Sequence, residues 1–321
     1  MYSTIKKISF AGITGLFLAT LITPMLNVKA QEVTGNGLLI SPTRTELTAN
    51  AGETKDFSIS VKNVTKADLT AKAYLNDFES DGTSGNPKII TDTSKRTPYT
   101  LDGMIKGLTD LDLKAGESKT VNLSLKLKDK MSPGAYFGVV RYATVNKANN
   151  NGQDQVSLTA SIGHLVFLTV PGSVEEKIQL QDPKVTNEKN QTGILFNKPS
   201  KASVSVKNLG NGFSRPFGKI SIYSGSKEVS SIDVNSGETK GIVLPNSSRT
   251  FDGNVKGVSR PGKYKVSASV AYGNGGEVVT LTKSFWYLPI WFVVVLIAIL
   301  GLIIGGAYYL YRRVSVGRSK K

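Results

Sequence analysis

Few residues of this chain have the types and spacing that chemistry needs. Asp77, Glu79, Asp81 and Gly82 match the first half of a calcium-binding loop. Counting from Asp77, position twelve is Lys88, where such a loop needs a bidentate glutamate, and no helical pattern flanks the segment. It reads as a calcium loop of unusual make-up or as an ordinary polar loop, and the residue types favour the second. His164 is the single histidine. A Ser-His-Asp relay could run only through it, yet it lies in an apolar strand-like stretch and no Gly-x-Ser-x-Gly turn is present. It reads as a histidine of a core or a sheet face. With no cysteine and one histidine, a typical zinc site lacks ligands. Gly210-Asn211-Gly212 and Gly273-Asn274-Gly275-Gly276 lack the strand–helix setting of a phosphate cradle and read as turns. A carboxylate pair for glycoside cleavage is defined by distance in space, which spacing along the chain does not give. The expectation is a non-enzymatic protein without metal or cofactor.

The ends of the chain set where such a protein works. Lys6 and Lys7 precede an apolar run over 8–22, Thr23-Pro24 breaks it, and Val28-Lys29-Ala30 follows. That order predicts a signal peptide over 1–30, cut between Ala30 and Gln31. An uncleaved signal anchor is the other reading, for which the run is short. A second uncharged run opens at Leu288 and closes at Tyr311, with Trp286, Tyr287 and Trp291 at one edge and Tyr308, Tyr309 and Tyr311 at the other. Arg312, Arg313, Arg318, Lys320 and Lys321 come next. Aromatic belts and a basic flank predict a membrane helix over 286–311 and a cytoplasmic basic tail over 312–321, the N-terminus lying outside. Leu288, Tyr311, Arg312 and Arg313 mark that anchor. Gly301 and Gly305 form a Gly-x-x-x-Gly pair that could bring two helices together.

Between the ends, short alternating runs dominate. Phe57, Ile59 and Val61 alternate with polar residues, as do Val121, Leu123, Leu125 and Leu127. Val204 and Val206, Ile220 and Ile222, and Tyr264, Val266, Ala268 and Val270 repeat the pattern. Period-two alternation buries one face of a strand. Three motifs recur. Ser60-Val61-Lys62-Asn63 returns as Ser205-Val206-Lys207-Asn208, and Pro133-Gly134-Ala135-Tyr136 as Pro261-Gly262-Lys263-Tyr264. Gly-Glu pairs stand at Gly52-Glu53, Gly116-Glu117 and Gly237-Glu238. The order predicts an all-β fold of two tandem immunoglobulin-like β-sandwiches, over 31–177 and 178–285, plus the C-terminal transmembrane helix. Each Tyr after Pro-Gly could bond back to a loop, or the motif could be a simple hairpin entry. Polar loops are expected over 77–88 and 146–154.

The formal charge is +16; removing three lysines in the leader and five basic residues in the tail leaves +8 on the ectodomain. That charge suits an anionic wall polymer or membrane surface, and the scattered Lys and Arg give no nucleic-acid signature. Zero cysteine leaves stability to core packing.

The layout resembles the WxL-interacting cell-surface proteins of Gram-positive bacteria. The likeness rests on Lys114-Ala115-Gly116-Glu117-Ser118, on Pro133-Gly134-Ala135-Tyr136-Phe137-Gly138-Val139-Val140, and on the segment from Gly163 to Gly172. Leu39-Ile40-Ser41-Pro42 departs from the longer Pro- and Gln-containing opening of that family. The resemblance implies a first module associated with peptidoglycan and a second with partner or host ligands, and it transfers no binding residue. The expected function is a single-pass cell-membrane protein that binds or scaffolds at the cell wall, with peptidoglycan- or teichoic-acid-type polymer and other surface proteins as partners. The alternatives are an immunoglobulin-like chaperone or accessory of surface-protein or pilus assembly, and a cell-wall hydrolase. Protease added to intact cells should strip the ectodomain and spare an epitope tag at Lys321; loss of that tag would reverse the topology.

Overall fold

The computed structural model describes residues 37–92, 94–145, 158–273 and 276–318. The expected cleavage site at Ala30 and Gln31 and the loop at 146–154 lie outside them.

Ten strands come first: β1 (Leu38–Ser41), β2 (Arg44–Thr48), β3 (Thr54–Asn63), β4 (Leu69–Ser80), β5 (Pro87–Ile90), β6 (Ile105–Lys106), β7 (Leu111–Leu113), β8 (Ser118–Lys126), β9 (Gly134–Val145) and β10 (Leu158–Val170). One sheet runs β1-β3-β8-β6, the other β2-β10-β9-β4-β5 with β7 also on β4. β1 pairs antiparallel with β3 while β2 pairs parallel with β10, so the chain changes sheets at its first turn. Pro42 stands at that crossing. The alternating residues of β3 and β8 face inward: Ile59, Val61, Val121, Leu123 and Leu125 are buried together with Val166 and Leu168 of β10.

Eight strands follow: β11 (Ile178–Thr186), β12 (Ile194–Leu195), β13 (Lys201–Asn208), β14 (Phe217–Ser224), β15 (Lys227–Val234), β16 (Ser248–Asn254), β17 (Gly262–Tyr272) and β18 (Glu277–Tyr287). Their sheets are β11-β13-β16 and β12-β18-β17-β14-β15. Again the first strand is antiparallel to β13 and the second parallel to β18. Val204, Val206, Ile220, Ile222, Val266 and Val270 form a second core. The fold is all-β, with two immunoglobulin-like sandwiches of matching strand order.

The repeated motifs hold the same posts in both. Asn63 and Asn208 end β3 and β13, and both are fully buried. Asn63 Oδ1 accepts from Thr65 N at 2.9 Å, while its amide donates to Ala67 O at 2.7 Å and Lys114 O at 3.0 Å. Asn208 Oδ1 accepts from Gly210 N at 2.9 Å, and its amide donates to Gly212 O at 2.8 Å and Val243 O at 3.0 Å. One side chain therefore closes the loop after its own strand and ties it to the segment ahead of the next strand of the sheet. The tyrosines match too. Tyr136 OH donates to Ser132 O at 3.1 Å and Tyr264 OH to Arg260 O at 2.8 Å, the corner bond that pins a late strand to its incoming loop.

The Gly-Glu echo is real at two places of three. Glu53 accepts Asn50 N at 3.0 Å and Glu117 accepts Lys114 N at 2.7 Å, with Gly52 and Gly116 in the left-handed region that lets each turn close. Ser236-Gly237-Glu238-Thr239 makes no such turn among the described residues and runs along a cleft wall instead. The polar loop expected at 77–88 is a hairpin of β4 and β5, with Asp77 opposite Ile90.

α1 (Ile290–Arg318) follows β18. Its 290–312 stretch is long and apolar enough to cross a membrane, and none of the apolar window is buried in the protein, unlike a core helix. The helix is shifted from the sequence expectation. Trp286 and Tyr287 close β18, and Leu288 N bonds Leu195 O at 2.9 Å, because sheet hydrogen bonds claim this backbone before the helix can. At the other end the helix passes Tyr311, Arg312 and Arg313 and continues to Arg318.

Asn63→Ala and Asn208→Ala each orphan buried backbone groups, costing about 1–3 kcal/mol. Urea unfolding of the solubilised full-length protein should show both losses; a loss for one variant alone would break the equivalence of the two posts.

Candidate functional site

β9 explains where a site can form. Its even-numbered residues, Tyr136, Val140 and Tyr142, face the first core. Its odd-numbered residues Ala135, Phe137 and Val139 are also buried, on the opposite face. A strand buried on both faces needs a second packing layer. That layer is the second sandwich. Phe137 and Val139, Phe167 of β10 and Phe78 of β4 meet Phe213, Ile242 and Leu244. Ring centroids lie 4.9 Å apart for Phe78–Phe137, 5.3 Å for Phe167–Phe213 and 6.0 Å for Phe137–Phe213, spacings at which tilted aromatic pairs attract. Polar contacts ring the cluster. Asn211 accepts Ala135 N at 2.9 Å through its backbone and donates to Pro133 O at 3.2 Å through its side chain. Asn246 donates to Tyr99 OH at 2.7 Å, and Thr250 N to Thr83 O at 2.7 Å.

Beside this contact lies a cleft of about 360 Å³. Arg44 of β2, Phe78 and Ser80 of β4 and the Gly85–Asn86–Pro87 turn form one wall; residues 235–249 supply the other. Arg249 is wedged between Gly85 of the first sandwich and Gly241 of the second. A Cβ added at either glycine would come within 3 Å of its guanidinium. The guanidinium donates to Ile242 O at 3.2 Å. Burial pulls its pKa below the usual arginine value, and the charge of Asp81 opposes this. Arg44 pairs with Glu46 at 2.9 Å, and Arg215 of the second sandwich reaches the same carboxylate. Of these three side chains Arg44 lines the cleft, together with Arg249. Ser80, Thr239, Ser247 and Ser248 add hydroxyls, and no carboxylate lines the cleft. On another flank a hollow of about 540 Å³ lies between Tyr99, Phe137, Lys207 and the 244–248 segment. Glu79 is its one carboxylate, paired with Lys88 at 3.0 Å. Neither space presents two acids to a glycosidic bond.

The residues singled out in the sequence go elsewhere. Asp77 turns inward and accepts from Thr97 N and Thr100 Oγ1, each at 2.7 Å. Asp81 accepts from Ser84 and from Gly85 N, and hydrogen bonding to Ser84 holds its carboxyl below the usual range. With Glu79 on Lys88, three carboxylates serve three different partners. No group of three potential metal ligands occurs among the described residues. His164 faces the first core, stacked on Phe57 at 5.9 Å between centroids. Its Nδ1 lies 2.8 Å from Pro42 O, an acceptor only, so Nδ1 carries the proton. Burial pushes its pKa down, and the hydrogen bond to Pro42 O opposes this. It is remote in role from the cleft, as a core histidine. Arg44, Arg215, Arg249 and Phe213 were not singled out in the sequence. The available signal was the double-faced apolar run of β9, where Ala135, Phe137 and Val139 break strict alternation.

No protein-family model matches the chain, and no curated protein matches it. Among solved structures it is similar to the class 5 fimbriae chaperone CfaA, with 15% identity over 79% of this chain and 100% of that one, TM-score 0.35. It is also similar to the E. coli chaperone DraB, with 15% identity over 78% and 96%, TM-score 0.35. The Pseudomonas aeruginosa CupB2 chaperone gives 12% identity over 76% and 99%, TM-score 0.34. These are remote likenesses of fold.

Phe213→Ala should cost about 3–5 kcal/mol, the usual loss for a buried aromatic. Because that side chain joins the sandwiches, a single urea transition of the full-length protein should split into two. One transition shifted by under ~1 kcal/mol would mean the contact contributes little.

Proposed function

We propose that this chain is a membrane-anchored, non-catalytic binding and scaffold protein of the cell surface, which holds anionic wall polymer in the cleft between its sandwiches. The observation that carries the reading is the lining of that cleft. It combines two guanidiniums, several hydroxyls and an apolar floor, and it lacks an acid–base pair. Guanidinium matches the paired oxygens of phosphate and carboxylate, the groups repeated along teichoic acid and peptidoglycan peptides. On this reading the resemblance to the WxL-interacting cell-surface proteins is one of descent, and α1 spans the cell membrane with the basic end inside.

A second reading is an immunoglobulin-like accessory of surface-protein assembly. What favours it is the edge of β10. β2 pairs only with Leu165 to Thr169, so from Leu158 to His164 β10 has a strand partner on one side alone among the described residues. An edge of that length can accept an added strand from another protein.

The two separate in one experiment. Solubilised full-length protein is incubated with purified cell wall. Retention should fall steeply as salt rises to ~0.5 M, where the Debye length drops below about 5 Å. Arg44→Gln should weaken retention about tenfold, ~1.4 kcal/mol. Release of soluble muropeptides would overturn the non-catalytic reading. Absence of wall retention, with stoichiometric co-purification of a surface protein from its own cells, would favour the assembly accessory.

A further inference from the structure

Three of the most exposed large apolar side chains outside α1 sit at one corner of the second sandwich: Ile194 (50% exposed), Phe196 (42%) and Trp286 (44%). The corner has a defined layout. Ile194 of β12 stands opposite Trp286 of β18, and Trp286 stands opposite Lys263 of β17. Residues directly opposite on neighbouring strands share a face, about 5 Å apart. One row across the sheet therefore reads apolar, aromatic, cationic.

The connection to α1 says what covers this row. Trp286 N bonds Gly193 O at 2.7 Å, and Leu288 N bonds Leu195 O at 2.9 Å. Helical bonding opens at once, with Phe292 N and Val293 N both donating to Pro289 O. No slack separates sheet from helix. Four residues from Trp286 to Ile290 span at most about 14 Å fully extended. A bilayer has a headgroup layer of roughly 5–8 Å on each side of its hydrocarbon core. With Ile290 at the hydrocarbon edge, Trp286 and its neighbours are held against that layer. Trp there, with a Lys able to extend its ammonium toward phosphate, is the composition that interface favours.

We propose that the Ile194–Phe196–Trp286–Lys263 corner is a membrane-seating surface, embedded in the headgroup layer of the bilayer that α1 crosses. It rests on the reading of α1 as a span. Seating restrains the second sandwich against the bilayer, and through the aromatic contact of Phe213 it restrains the first.

The chain has no cysteine, so single cysteines can be spin-labelled cleanly. Full-length Phe196→Cys, Val278→Cys and Leu302→Cys proteins would be reconstituted in phosphatidylcholine–phosphatidylglycerol nanodiscs. Collision with a water-soluble nickel chelate and with oxygen would then be measured. Label 302, in α1, should be oxygen-accessible and nickel-shielded. Label 278, at the far end of β18, should be nickel-accessible, and label 196 should lose most of that collision. Label 302 in lipid with label 196 as nickel-accessible as label 278 would overturn the seating alone; label 302 open to nickel would overturn the span as well. Shielding of label 196 that disappears on dilution with unlabelled protein would assign the corner to a second copy and overturn the proposal. As a measurement that leaves the corner intact, Trp286 fluorescence in a Trp291→Phe background should be quenched by lipids brominated near the headgroup; absence of quenching would count against seating.

Discussion

Phe137 is the residue on which the arrangement turns. It stands on a strand whose opposite face already fills the first core, so its ring must be covered by something else. Phe213, Ile242 and Leu244 supply the cover, and with it the relation between the sandwiches is set. An uncovered patch of Phe78, Phe137 and Phe167 would be a large apolar surface facing water. The hydrophobic effect would act against that at about 25 cal/mol per Å². The cleft is a by-product of this contact. Two convex sandwiches held at one cluster leave space beside it, and the side chains that border the space are those the contact happens to bring near.

That logic accounts for the charge in the cleft. Arg249 is wedged between two glycines, one from each sandwich, and a side chain at either would push it out. Arg44 and Arg215 share Glu46 from opposite sides of the gap. Exposed pairs of this kind add roughly 0–1 kcal/mol each, so they do not hold the sandwiches together. The aromatic cluster does that, and Arg44 and Arg249 give the cleft lining its positive charge. The apolar contact and the cationic cleft lining are thus different chemistries beside one interface.

The two halves are copies in their scaffolding and not in their surfaces. Asn63 and Asn208 make the same bonds, as do Tyr136 and Tyr264. The third Gly-Glu pair has left that scheme: Gly237 and Thr239 of its segment line the cleft. Buried polar posts tolerate little change, because each satisfies backbone groups that would otherwise be stranded without water. Loop segments between the posts are free to take on other work.

What the sequence determined by itself is what depends on near neighbours. Alternation in β3, β8, β13 and β17 reports a buried face, because side chains two apart share a face whatever lies beyond. The paired Val-Lys-Asn and Pro-Gly-x-Tyr motifs report two sandwiches, because part of their bonding closes over two to four residues, while the Asn bonds to Lys114 and Val243 reach across the sheet. The C-terminal apolar run reports a helix fit to span a membrane, because length and composition alone set that property. Tertiary structure decided the rest. Arg44 and Arg249 are far apart along the chain and line one cleft because the Phe137–Phe213 contact joins the two sandwiches. Asp77, Glu79 and Asp81 match the first half of a ligand set at their spacing, and the fold gives each a different partner: the 97–100 turn for Asp77, Lys88 for Glu79 and Ser84 for Asp81. Trp286 looked like part of the span until its backbone was claimed by β12, a pairing that sequence spacing does not encode.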